Sequence, residues 1–99
     1  MDHSGNCHVP PVQKIPTAEE SAMSEESILQ VWGMGCANCA MRVRNSLISQ
    51  RGVLAAEVDH QKGLALVQHN PDLAPMSSLL TAVEAAGNDG RHNYRAAIA

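Results

Sequence analysis

Cys36 and Cys39 stand three residues apart in Gly33-Met34-Gly35-Cys36-Ala37-Asn38-Cys39, where a strand-like run from Ile28 to Trp32 gives way to a helical pattern beginning near Ala37. Two cysteines at that spacing at the opening of a helix bring two sulfurs within reach of one ion, and the unpaired N–H groups of a helix start favour thiolate over thiol. This is chemistry for a soft metal or for a disulfide. A second set of donors lies at the amino terminus. Met1-Asp2-His3, on a native unblocked chain, offers an amine, two backbone nitrogens and an imidazole, a set suited to Cu(II) or Ni(II); Cys7 and His8 add a thiol and a second imidazole. Polar tails also carry such residues with no role, and both readings stand for His3 and for Cys7 with His8.

The elements that must position these groups are legible in outline. Ile28 to Met34 alternates as a half-buried strand does, with Leu29, Val31 and Met34 on one face and Ile28, Gln30 and Trp32 on the other. From Ala37 to about Gln50, Ala40, Val43 and Leu47 recur at helical spacing, and Gly52 ends the pattern. Val53 to Asp59 and Leu64 to His69 are two further strands joined by a turn at residues 60–63. Pro75 fits the first turn of a second helix that buries Leu79, Leu80, Val83 and Ala86 and stops at Gly87; a last strand runs from about Asn93 to Ile98. Ahead of all this, residues 1–27 are read as a disordered arm, interrupted by Pro10, Pro11 and Pro16 and rich in Ser and Glu. The domain proper is 28–99.

Composition narrows the function classes. Ninety-nine residues make one small domain with little room for a deep active-site cavity. The arm carries a charge of −4 and the remainder +1, which argues against a strong nucleic-acid binder. Three cysteines, an odd number, suggest reduced thiols and a cytoplasmic setting, not a disulfide framework. No secretory signal is evident, and no apolar stretch approaches the ~20 residues that cross a bilayer.

The sequence resembles the heavy-metal-associated domains of copper chaperones, bacterial mercury-binding proteins and the N-terminal domains of metal-pumping P-type ATPases. Their Gly-Met-x-Cys-x-x-Cys motif is matched by Gly33, Met34, Cys36 and Cys39, and the likeness continues through residues 40–47, Gly52-Val53 and Ala85-Ala86-Gly87. The resemblance implies an α+β, ferredoxin-like βαββαβ sandwich: a four-stranded antiparallel sheet with two helices on one face. It implies that Cys36 and Cys39 bind the metal, with Cys36 the mobile ligand and Cys39 the static one, and that Gly33 and Met34 shape the loop. Ala65 and Val67 then face inward, and Trp32, Leu64 and Leu66 form an apolar patch on the open sheet face, a contact surface for a dimer, another domain or the tail. Arg42 and Arg44, near the cysteines, are either a solvated face or a positive surface that steers an acidic partner. His60 and His69 are taken as surface residues. Where the family places an aromatic residue or a lysine after the position of Gly87, this chain has Asn88-Asp89-Gly90; Asp89 or His92 is a third ligand or, more simply, a turn residue.

Two thiolates suit Cu(I), which accepts soft sulfur at low coordination number, better than Zn(II), which wants four ligands; Cd(II) and Hg(II) also bind thiolate pairs. The expected activity is binding and handing on of such an ion, not catalysis. The implied partner is a donor or acceptor with a similar Cys-x-x-Cys domain, or the rest of a P-type ATPase at the cytoplasmic face of the membrane. The chain is expected to be a monomer or a weak metal-linked dimer, with no membrane insertion and no nucleic acid. Two other readings compete. A thiol–disulfide enzyme of thioredoxin type would flank its cysteines with Trp and place Pro between them, and this chain has Ala37-Asn38 there. An RNA-binding sheet needs aromatic residues on its central strands, and the chain has one Trp, one Tyr and no Phe.

Overall fold

A computed structural model describes residues 10–35, 37–87 and 93–99. Cys36, the amino-terminal donors His3, Cys7 and His8, and the loop residues Asp89 and His92 lie outside the described residues. A four-residue helix, α1 (Ala18–Ser21), precedes β1 (Glu25–Trp32), α2 (Ala37–Ile48), β2 (Val53–Asp59), β3 (Leu64–His69), α3 (Met76–Ala86) and β4 (Arg95–Ile98). The strands form one sheet in the order β2-β3-β1-β4, and each neighbouring pair is antiparallel. From β1 onward the order is βαββαβ, the ferredoxin-like sandwich.

Alternation along the strands and spacing along the helices decide what is buried. Leu29 and Val31 of β1 and Ala65 and Val67 of β3 point to one face, where they meet Ala40, Val43 and Leu47 of α2 and Leu79, Ala82 and Val83 of α3. Each large aliphatic side chain fully removed from water there contributes about 1.5–3 kcal/mol. The two helices approach closely enough for Ser46 Oγ to donate to the Ala82 carbonyl at 2.6 Å.

β1 begins three residues before the apolar alternation does. Glu25 and Glu26 are poor strand formers, but β3 offers them partners, His69 and Gln68, and that pairing outweighs local preference. The strand also ends at Trp32, so Met34 belongs to the following loop.

The disordered arm expected over residues 1–27 is not what residues 10–27 form. They make a strap fastened to the end of the sheet where β1 starts. Thr17 caps α1, its side chain accepting from the Glu20 N–H at 3.1 Å while Glu20 Oε1 accepts from the Thr17 N–H at 2.9 Å. Lys14 Nζ donates to the carbonyls of Gln50 (2.8 Å) and Val53 (2.7 Å) and pairs with Glu20 Oε2 at 2.8 Å. Glu20 Oε2 also accepts from the Gly52 N–H at 2.6 Å. Gly52 has φ +96°, and a Cβ there would stand 2.6 Å from Leu73 Cβ, so only glycine fits. Asn70, buried, donates from Nδ2 to the carbonyls of Glu19 and Glu20 at 3.2 and 3.3 Å. The strap is held by polar groups meeting chain ends, which leave no apolar period in the sequence to read.

His69 is likewise not a surface residue. It is 1% exposed, with Nδ1 2.7 Å from the Ala74 carbonyl and Nε2 2.8 Å from Ser27 Oγ. A ring N–H at Nδ1 donates to the carbonyl, which leaves Nε2 to accept from the serine hydroxyl. Its inward position follows from the same parity that buries Ala65 and Val67.

Candidate metal centre

The chain leaves the sheet after Trp32 through Gly33, Met34 and Gly35. Gly33 has φ +97°, and a Cβ there would lie 2.3 Å from the Asn93 carbonyl oxygen, so the loop presses backbone against backbone on the segment that leads into β4. Met34 turns back into the core while Gly35 is exposed. The loop is thus pinned beneath by a thioether side chain and left bare above. α2 starts at Ala37, and Cys39 sits in its first turn, 5% exposed and packed in the same cluster as Met34. No acidic side chain occupies that first turn. The positive end of the helix dipole therefore meets sulfur.

An aromatic ring does stand between the end of α3 and this loop, but it comes from the other side of residues 88–92. Tyr94 is 1% exposed. Its ring is wedged between two glycines: a Cβ on Gly87 would come within 2.8 Å of Cδ2, and one on Gly33 within 3.3 Å of Cδ1. Tyr94 is the neighbour of the Gly33 loop that sequence reasoning missed. Gly33 and Gly87 hinted at it, because two glycines facing one position leave room for a large side chain.

The other predicted residues fall in three places. Trp32, Leu64 and Leu66 are on the open sheet face, where Trp32 and Ile28 are each 48% exposed. Ile28 is directly opposite Leu66 and Gln30 opposite Leu64, so Trp32 stands diagonal to Leu64 and opposite Arg95 of β4. That face is turned away from Cys39. Arg42 is half-buried on α2. Arg44, read from the sequence as either a solvated residue or a partner-steering charge, meets the strap: Nη1 donates to the Val12 carbonyl at 2.9 Å and to Asn45 Oδ1 at 3.0 Å. The strap competes for the guanidinium because it runs along α2. His60 is half-buried in the turn after β2. Among the described residues, no three His, Cys, Asp or Glu side chains gather as a ready metal cluster, and no helix is long and apolar enough to cross a membrane. One thiol in the first turn of α2, Cys39, packed against the apolar core, is what the described residues offer.

The family model of the heavy-metal-associated domain matches residues 28–89. The chain is 37% identical over 67 residues to the copper chaperone CopZ of Staphylococcus aureus (strain bovine RF122 / ET3-1), a match covering 68% of this chain and 97% of that protein. Among solved structures, it resembles a copper-binding domain from HMA7, a P-type ATPase, with TM-score 0.68 and 28% identity over 78% of this chain and 95% of that one. It also resembles the N-terminal domain of a potential copper-translocating P-type ATPase from Bacillus subtilis, solved in the Cu(I)-loaded state, with TM-score 0.63 and 32% identity over 74% and 86% of the two chains. A glycine-led loop, a buried methionine, a cysteine in the first helical turn and a βαββαβ frame thus occur together with a family match across most of the domain, and the chain belongs to the heavy-metal-associated domain family.

Proposed function

We propose that this chain binds Cu(I) between the thiolates of Cys36 and Cys39 and hands it to a partner protein by ligand exchange. The observation that carries this reading is Cys39, held by α2 over a dry core immediately after a loop whose glycines and methionine leave its outer side open. Cu(I) accepts two soft sulfurs without further ligands, so a partner's thiolate can enter as a third before one of the first two departs. The ion is then never released to water. Each thiol gives up its proton to solvent as its sulfur binds. Cys39, fixed in the helix, is the static ligand; Cys36, at the loop junction, is the one that leaves first. This is cargo transfer, not catalysis of a covalent reaction.

The partner is a second protein bearing a thiol pair on a similar domain, or the remainder of a metal pump, and the setting is the reducing cytoplasm. Resemblance to a chaperone and to pump domains supports both forms equally. The test is a competition titration of the reduced chain with Cu(I) and Zn(II), beside Cys36→Ser/Cys39→Ser. Tight Cu(I) binding that the double variant loses, with Zn(II) bound far more weakly, is the expected result. Undiminished Cu(I) uptake by the double variant overturns the proposal.

A further inference from the structure

Strand pairing fixes what lies where on the open face of the sheet. Ile28 and Gln30 of β1 stand beside Leu66 and Leu64 of β3, and these stand beside Glu57 and Asp59 of β2. On the other flank, Arg95 and Ala97 of β4 stand beside Trp32 and Gln30. The β1–β4 half of the face is therefore prominent and basic, with Trp32 48% exposed and Arg95, also exposed, next to it. The β3–β2 half is hollow and acidic along its edge. A groove of about 640 Å³ runs over it, lined by Ile28, Leu64 and Leu66, with Glu57 and Asp59 on its rim and Lys62 at the end by the turn.

We propose that a second copy of the chain docks on this face, without metal, with Trp32 of each copy seated in the groove of the other. A twofold axis running along the strands, between two sheets stacked face to face, lays β1 of one copy over β3 of its partner and β4 over β2. Trp32 then falls over the groove, and Arg95 over the acidic edge. The levels agree as well. Ala97 is opposite Gln30, Gln30 opposite Leu64 and Leu64 opposite Asp59, so Arg95 stands two residues from the level of Asp59, about 7 Å along the strand and within reach of its long side chain. A twofold across the strands would set the acidic edge on itself. One face that carries both a protruding indole and a hollow, and both a basic and an acidic edge, is what a self-complementary contact requires. β2 and β4 are only about 14 Å apart, so the contact is small and the dimer dissociates on dilution. Because this face is turned away from Cys39, each copy keeps that side free.

The experiment uses the full reduced chain, kept metal-free by a chelator, and follows sedimentation together with the emission of Trp32, the chain's one tryptophan. Wild type is expected to dimerise as its concentration rises, with emission moving to the blue as the indole leaves water. Trp32→Ser should weaken association at least about tenfold. Arg95→Glu, and separately Glu57→Lys/Asp59→Asn, should each weaken it about fivefold or more by setting like charges opposite. The asparagine keeps an Oδ1 for the Gln61 and Lys62 N–H groups that donate to Asp59. Mixing the two charge variants should restore a dimer, because each then meets the edge it complements, and that recovery separates a lost contact from lost folding. Wild type that stays monomeric at every concentration overturns the inference. So does a dimer that forms only with Cu(I), one indifferent to all three variants, one that leaves Trp32 emission unmoved, or charge variants that fail to recover on mixing.

Discussion

β1 joins two ends of the molecule that are built on different principles. Where the strand begins, Lys14, Glu20, Gly52 and Asn70 tie the strap, the α2–β2 junction and the β3–α3 loop together through hydrogen bonds and a partly buried ion pair. Where it finishes, roughly 23 Å away at the usual rise of a strand, the chain is held by packing: Met34 in the core, Gly33 pressed on Asn93, and Tyr94 between Gly33 and Gly87. Polar bonds that are directional and mutually dependent make the first end stiff. At the second end the described contacts are chiefly close packing of side chains and backbone. The exchange proposed above would draw on that asymmetry, since sulfurs locked in a hydrogen-bond network would be slow to rearrange.

The difference can be broken from either side. The largest effect is expected at the loop end from Tyr94→Ala, which empties the space between two glycines: a stability loss of about 3–5 kcal/mol, with weaker Cu(I) binding because the loop loses its floor. Chemical denaturation and metal competition on the same samples check both. Next comes Gly52→Ala, which forces a Cβ into Leu73 at a positive φ. It should cost about 2 kcal/mol or more yet leave Cu(I) affinity unchanged, so equal damage to both properties would show that the two ends are not separable.

A third test uses pH. The hydrogen bond from Lys14, followed by the N–H groups of Thr17 and Gly52, lowers the Glu20 carboxyl from its ordinary 4.5 to about 2. A depressed carboxyl stabilises the fold fully above its unfolded value and loses that contribution as pH falls through the folded one. Wild type should therefore lose stability between about pH 4.5 and 2, and Glu20→Gln should show a flatter profile in thermal melts over that window. The smallest change is expected from Arg51→Ala. Its pair with Glu19 lies on the same strap, but both side chains are mostly exposed, so the loss should be within about 1 kcal/mol.

Residue types and spacing determined the heart of this protein without help: two cysteines three apart after a Gly-Met pair, one helical stripe of Ala40, Val43 and Leu47, and two alternating strands whose bounds are those of β2 and β3. These are local signals, because periodicity and turn chemistry act within a few residues. Tertiary structure alone decided the start of β1 at Glu25, the burial of Glu20, Asn70 and His69, the meeting of Arg44 with Val12, and the place of Tyr94 against the Gly33 loop. Each depends on a partner distant in sequence: Glu20 on Gly52, 32 residues away, and Asn70 on the Glu19 carbonyl, 51 away. A polar side chain is buried when a distant donor or acceptor repays its desolvation, and no window of neighbouring residues contains that partner.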